Sequence, residues 1–454
     1  MHHRLTYRQH ARATLLLGLP LIGSHVAQFA INLSDAVMLG WYSVEALAAE
    51  VLGGTLFFVL FIMGSGFAWA VMPMVASAQA SGQETQVRRV TRMGLWASLL
   101  YGVTVMPVMI WSEAVFAMLG QDPDVANQAG QYLGIAGWAI LPALLVMVLK
   151  SYLAALERTG VVLWVTLAAV VLNIGINYLL IFGNFGFPEM GVRGAAVASL
   201  VVNIAALLAL CVYVSASAPE HALFQRLWRP DWEALGAVFR LGWPIGITSL
   251  AEVGLFAAAS VMMGWLGTLS LAAHGIALQV TSVVFMVHLG LSNVATVRAG
   301  QAFGRGDGPG LRDGAKVVLG MAGVVALVTM VIFLVLPDPL IGVFLDPQDP
   351  DRAAVMAAGR HLLAAAALFQ LVDAAQVSAL GLLRGVQDTH VPMVIAALSY
   401  WAVGVPVSYG LGFVFGFGGP GIWLGLAAGL ALAGVFMLVR FWGWSARGVG
   451  ARDS

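Results

Sequence analysis

Twelve apolar stretches, each about twenty residues or longer and separated from the next by a polar connection, constrain this chain more than any other feature. They lie near 11–38, 46–75, 92–111, 130–152, 160–182, 191–214, 236–262, 270–296, 315–336, 357–382, 390–415 and 419–442. Hydrocarbon offers no partner to a backbone amide, so such a segment must satisfy itself, as a helix or as a strand of a closed barrel. The stretches show no strict two-residue alternation, which excludes barrel strands. The fold class that follows is an all-α integral membrane protein with twelve transmembrane helices in a lipid bilayer. Composition agrees: 60% of residues are hydrophobic and 10% charged, against about 45–50% and about 25% in soluble domains.

Charge placement orients the spans. Arg88, Arg89 and Arg92, then Lys150 and Arg158, then Arg226, Arg229 and Arg240, then Arg298, Arg305, Arg312 and Lys316, then Arg384, fall in or at the edge of alternate connections. Arg4, Arg8, Arg12, Arg440, Arg447 and Arg452 add both termini to that side, leaving only Arg193, Arg352 and Arg360 opposite. The positive-inside rule makes that side the cytoplasm, with both termini inward. The other side carries acids such as Glu113, Asp122, Asp124, Asp338, Asp346, Asp349 and Asp351. The arginines before the first apolar run look like a secretory signal, but no cleavage site follows, so this segment reads as a permanent span. A formal net charge of +0 gives no reason to expect nucleic acid. The single cysteine, Cys211, cannot form an intrachain disulfide and reads as a small core residue.

Residues 17–49 align without a gap on 241–273, sharing Gly18/Gly242, Pro20/Pro244, Gly40/Gly264 and Trp41/Trp265 among other identities. Glycine, proline and tryptophan matches are harder to obtain from apolar composition alone, so the chain reads as a duplication. The copies begin spans one and seven, which gives two parallel six-helix repeats: 1–214, then a polar linker at 215–235, then 236–445, with a tail at 446–454. Repeats of this kind recur in secondary transporters, where two bundles rock about a site between them, and the linker is long enough to let halves move.

An ionisable side chain at membrane depth costs at least about 2.5–3.5 kcal/mol on insertion scales, so each needs a reason. Three stand out: Asp35 in span one, Glu252 in span seven and Asp373 in span ten. Gln28, Asn32 and Asp35 share a helical face by spacing, as do Asn173 and Asn177 on span five. Carboxylate and amide oxygens together suit a hard cation such as sodium, and a carboxylate in low dielectric also suits a proton. The plainer reading of the asparagines is an interhelical hydrogen-bond network. Glu252 takes the place of Gln28 in the repeat, and Asp373 lies in a stripe with Gln370 and Gln376. His274, His288, His361 and His390 serve equally well as hydrogen-bonded helix residues or as proton carriers, and no metal-binding histidine pattern accompanies them. Neither lysine, Lys150 nor Lys316, sits in a phosphate-cradling glycine loop, and no catalytic cluster is visible, so the chain reads as a non-enzyme without cofactors.

The paired Leu17-Gly18-Leu19-Pro20 and Leu241-Gly242-Trp243-Pro244, with Gln79-Ala80-Ser81-Gly82, Gln301-Ala302-Phe303-Gly304 and Leu383-Arg384-Gly385-Val386-Gln387-Asp388-Thr389, resemble the multidrug and toxic compound extrusion family, in its NorM-like bacterial branch. The resemblance implies export of cationic amphipathic drugs or toxins across a bacterial inner membrane in exchange for Na+ or H+. It implies that Glu252 and Asp373 form the cation site of the second half, with Phe369 and Gln370 beside them along a substrate cavity. It implies that Asp35, Asn173 and Asn177, with Gln28 and Asn32, form a polar site in the first half. Where the family often has a tyrosine one turn before the span-ten aspartate, this chain has Phe369, one oxygen fewer for a metal cation. The expected mechanism is alternating access by a monomer, in which drug and coupling ion compete for the same carboxylates. A flippase for lipid-linked saccharides is the alternative, and it predicts a strongly cationic cavity where these spans carry mainly acids. A membrane-embedded transferase would need an acid, base or metal cluster at the membrane surface.

Overall fold

The structure, a computed structural model, describes residues 5–348 and 350–450. Of the charges that orient the chain, Arg4, Asp349 and Arg452 lie outside the described residues, as does the end of the tail at 451–454. Among the described residues, twelve helices are long and apolar enough to cross a membrane: α1 (Tyr7–Tyr42), α2 (Val44–Ala80), α3 (Glu84–Ile110), α4 (Pro123–Ala155), α5 (Thr159–Leu180), α6 (Val192–Ser217), α7 (Trp232–Leu266), α8 (Thr268–Gly304), α9 (Gly308–Val335), α10 (Arg352–Gly385), α11 (His390–Val414) and α12 (Gly418–Val449). Among the described residues no strand occurs, as the lack of alternation requires.

Three of these helices begin ahead of their apolar cores, each at a side-chain cap. The Ser43 side chain accepts from Ala46 N at the start of α2, Asp122 accepts from Asp124 N and Val125 N ahead of Pro123 at α4, and Asp307 accepts from Gly310 N at α9. The 37 residues of α2 rise roughly 55 Å at about 1.5 Å each, against a hydrocarbon core of about 30 Å, so its ends project well past the lipid. Large apolar side chains such as Leu16, Val171, Val212, Val324 and Leu327 lie exposed along the shafts, an arrangement that suits acyl chains and not water.

By packing, the chain divides into two units, Gly23–Gly246 and Met1–Ile22 with Ile247–Ser454. The divisions fall inside α1 and α7, two residues after Pro20 and Pro244, at positions that correspond in the internal repeat. Within Gly23–Gly246, the first part of α7 packs tightly on α2. A Cβ added at Gly66 would sit 2.4 Å from the Gly242 carbonyl oxygen and 2.5 Å from Gly246 N. Only glycine permits that approach. Phe67 stacks on Phe239 one turn away, with ring centroids 5.5 Å apart.

The polar segment at 215–235 is not a slack tether. It is fastened to α3 and α4 of its own unit by Arg92 Nε donating to the Leu223 carbonyl (2.7 Å) and Trp96 Nε1 to the Leu227 carbonyl (2.6 Å). Arg89 pairs with Asp231 and Glu233 there, and Tyr152 Oη meets His221 Nδ1 at 2.5 Å. In the second unit α11 contains π-helical turns at Leu398–Gly404 and Gly410–Val414 and packs on α12, where a Cβ at Gly425 would lie 2.3 Å from Ser408 Cα.

Candidate functional site

Each unit buries carboxylates and amides together within its spans. In Gly23–Gly246, Asp35 on α1 is 6% exposed and is held by two asparagines one turn apart on α5. Asn173 Nδ2 donates to Asp35 Oδ1 at 3.0 Å and Asn177 Nδ2 to the same oxygen at 2.5 Å. Ser34 Oγ donates to Asn173 Oδ1 at 2.9 Å, which fixes that amide's orientation. The i, i+4 spacing of the asparagines is what lets one carboxylate oxygen accept from both. Asn177 Oδ1 has no partner, so an acceptor remains beside the carboxylate. Gln28 and Asn32 share the Asp35 face by spacing, but both are exposed and take no part in these bonds.

Two residues that the sequence left unremarked join this cluster. Glu50 on α2 lies within electrostatic range of Asp35, and Tyr132 on α4, 7% exposed and hydrogen-bonded to Ser199, interacts with both carboxylates. Glu50 falls inside the apolar stretch at 46–75, so the cost of a charge at membrane depth applies to it as it does to Asp35. Its place one turn from the stretch's polar edge disguised it.

In the second unit, Glu252 on α7 and Asp373 on α10 lie close enough to interact electrostatically. Asp373 is 1% exposed, and neither of its carboxylate oxygens has a hydrogen-bond partner. The same holds for Glu252 Oε1, Gln370 Oε1 and Gln376 Oε1. These atoms are all acceptors, gathered from two helices by the i, i+3 stripe of α10 facing α7. Buried oxygens that lack donors favour a proton or a cation as their occupant, and carbonyl-type and carboxylate oxygens are the donor set of a hard cation. His288 on α8, fully buried, stands beside Gln370.

Phe369 packs edge-on to Phe256 (5.9 Å) and Trp423 (5.5 Å), so no hydroxyl is supplied there. An aromatic hydroxyl reaches the cluster from another span instead: Tyr400, fully buried in a π-helical turn of α11, accepts from Gln376 Nε2 at 2.7 Å and interacts with both Glu252 and Asp373. Arg384, three turns below Asp373 on α10, is 8% exposed and lies within electrostatic range of Glu252 and Tyr400. Two carboxylates and one guanidinium leave the ionised cluster with one excess negative charge, which one monovalent cation neutralises.

The remaining histidines separate by their partners. Trp423 Nε1 donates to His274 Nδ1 at 3.1 Å, so His274 Nε2 carries the proton and gives it to Ser260 Oγ at 3.0 Å. Both nitrogens are thus spent on packing partners. His361 and His390 are exposed. Cys211 is half-buried with a free thiol.

The MatE family model matches the chain twice, over residues 20–179 and 244–410. The probable multidrug resistance protein NorM of Rhizobium meliloti is 48% identical over 95% of this chain and 93% of its own length. The probable multidrug resistance protein NorM of Agrobacterium fabrum is 46% identical over the same shares, 95% and 93%. A eukaryotic MATE transporter of known crystal structure superposes with a TM-score of 0.86 over 99% of this chain and 100% of its own, at 18% identity, a likeness of fold.

Proposed function

This chain belongs to the MatE family, and from that premise we propose that it is a secondary active multidrug exporter, exchanging cationic amphipathic compounds for Na+ or H+ by alternating access. The observation that carries the proposal is the set of donor-less oxygens on Glu252, Asp373, Gln370 and Gln376 at membrane depth. A pair of buried carboxylates is expensive unless something positive joins it. Either an organic cation or a coupling ion serves, and the two exclude one another because one cluster cannot be neutralised twice.

In the proposed cycle the coupling ion enters from outside, neutralises Glu252 and Asp373 and releases the bound drug. The halves of the duplication then reorient, the ion leaves toward the cytoplasm, and a new drug takes its place. An inward membrane potential contributes about 2.3 kcal/mol per charge per 100 mV to ion entry. Reciprocity requires that whatever factor the ion imposes on drug affinity, the drug imposes on ion affinity. Tyr400 supplies the hydroxyl that Phe369 lacks, and Asp35 with Asn173, Asn177 and Glu50 serves as a second polar site. The multidrug resistance names of the NorM relatives support small-molecule export, and the arginine distribution supports cytoplasmic termini in an inner membrane.

The test is dye efflux from proteoliposomes of the purified chain under a sodium gradient or a pH gradient, imposed separately. The proposal expects one gradient to drive efflux, and Glu252→Gln with Asp373→Asn to abolish the drive. Undiminished gradient-driven efflux in the double variant would overturn it.

A further inference from the structure

A second constellation, remote from the carboxylates in sequence and dominated by donors, lies in the unit of Met1–Ile22 and Ile247–Ser454. A cavity of about 310 Å³ opens where the beginning of α1, the end of α8 and the beginning of α9 meet. His10, Arg298, Gln301, Arg305 and Asp307 supply its polar wall, and alanine, leucine and valine side chains supply most of the rest. At about 30 Å³ per water, the cavity has room for roughly ten waters, more than enough for a tetrahedral oxyanion with part of whatever carries it.

The protonation of His10 follows from its neighbour. Arg298 Nη2 lies 2.8 Å from His10 Nδ1. A guanidinium has only donors and keeps its proton, so Nδ1 is the acceptor and the ring's single proton is on Nε2. His10 is 3% exposed, and Nε2 has no hydrogen-bond partner. The ring is thus a buried N–H donor in want of an acceptor, in the wall of a cavity that also receives two arginines.

The acids nearby are already engaged. Asp307 accepts from Gly310 N at 2.8 Å as the cap of α9, and Asp313 accepts from Tyr7 Oη at 3.2 Å and pairs with Lys316 at 3.8 Å. Both act electrostatically on His10, yet neither supplies an acceptor to Nε2. Guanidinium groups match phosphate oxygens in geometry as well as charge, and an imidazole N–H completes a three-sided grip.

We propose that this cavity binds a phosphate-class oxyanion, whose oxygens accept from His10 Nε2 and from the guanidinium groups of Arg298 and Arg305. The oxyanion is either free inorganic phosphate or the headgroup phosphate of an anionic lipid, for which the mixed apolar and polar wall is equally suited. The site uses none of the carboxylates of the transport reading, so either proposal can fail without the other.

The experiment uses the full chain in dodecyl maltoside, titrated calorimetrically with inorganic phosphate against chloride at matched ionic strength, and by native mass spectrometry with phosphatidylglycerol. Two variants accompany it: Arg305→Gln, at an exposed position that leaves packing intact, and His10→Phe, which keeps a ring and removes the donor. Saturable phosphate binding weakened about tenfold or more by each variant supports the site. Phosphatidylglycerol adducts that phosphate displaces identify the lipid headgroup as occupant, and phosphate binding without such adducts identifies the free ion. A wild-type response to phosphate no different from chloride, with no displaceable lipid, overturns the proposal. So do variants that bind as the wild type does.

Discussion

Replacing Tyr400 with phenylalanine removes one fully buried hydroxyl and changes little else in shape. That hydroxyl accepts from Gln376 Nε2 at 2.7 Å, and Gln376 Oε1 already lacks a partner, so the substitution strands the whole amide. An orphaned buried neutral group costs about 1–3 kcal/mol in a soluble core. Couplings between membrane helices average about 0.6 kcal/mol and reach about 1.7, because the unfolded chain in lipid also finds partners. The second scale governs here, and Tyr400→Phe is expected to destabilise by about 1 kcal/mol. Gln376→Met removes the stranded amide, so Tyr400→Phe combined with Gln376→Met should cost about 1 kcal/mol less than the two single effects added. Equilibrium unfolding in mixed SDS and dodecyl maltoside micelles reads all four corners of the cycle. Strictly additive losses would mean instead that the bond contributes nothing in the folded protein.

Three further perturbations have defined outcomes. Gly66→Ala should cost at least about 1–3 kcal/mol, since the new methyl meets backbone on both sides of the α2–α7 crossing, whereas Gly236→Ala, with nothing within 4 Å, should be neutral or stabilising; monodisperse yield on size exclusion separates them. Arg384→Gln removes a positive charge within electrostatic range of Glu252 and should tighten binding of the coupling cation while slowing its release, visible as a lower half-saturating ion concentration with a lower maximal efflux rate. The 215–235 segment should loosen on acidification. Burial holds the His221 imidazole below its ordinary 6.5, and the Arg89 guanidinium holds the Asp231 carboxyl below its ordinary 3.8, so both favour the fastened state when deprotonated. The His221 contribution fades as pH falls below 6.5 and that of Asp231 only in strong acid; hydrogen-exchange protection across the segment, taken relative to the intrinsic rate at each pH, that is unchanged between pH 7.5 and pH 5.5 would contradict this.

The spans were legible because a twenty-residue apolar run has one stable fate in lipid, and the repeat was legible because Pro20/Pro244 and Trp41/Trp265 are costly coincidences. Helix ends were less so, since Ser43, Asp122 and Asp307 cap beyond the apolar limits. Asp35, Asn173 and Asn177 could be seen from spacing, but periodicity gives a face and not what opposes it, which is why exposed Gln28 and Asn32 looked equivalent. Tyr400 was hidden for a different reason. Its orientation depends on π-helical turns that no hydropathy pattern encodes, and a tyrosine within an apolar run reads as packing. The place where α1 and α7 pass from one packing unit to the other is likewise invisible in apolar runs that continue through Ile22 and Gly246.

The most direct test of the shared carboxylates is equilibrium binding of a fluorescent organic cation to the purified chain, titrated with Na+ at fixed pH and then with protons at fixed Na+. One of the two ions is predicted to displace the dye competitively, raising its apparent dissociation constant in proportion to ion concentration, and Glu252→Gln with Asp373→Asn should remove that dependence. Dye affinity indifferent to both ions in the wild type, or equally ion-sensitive in the double variant, would contradict the account.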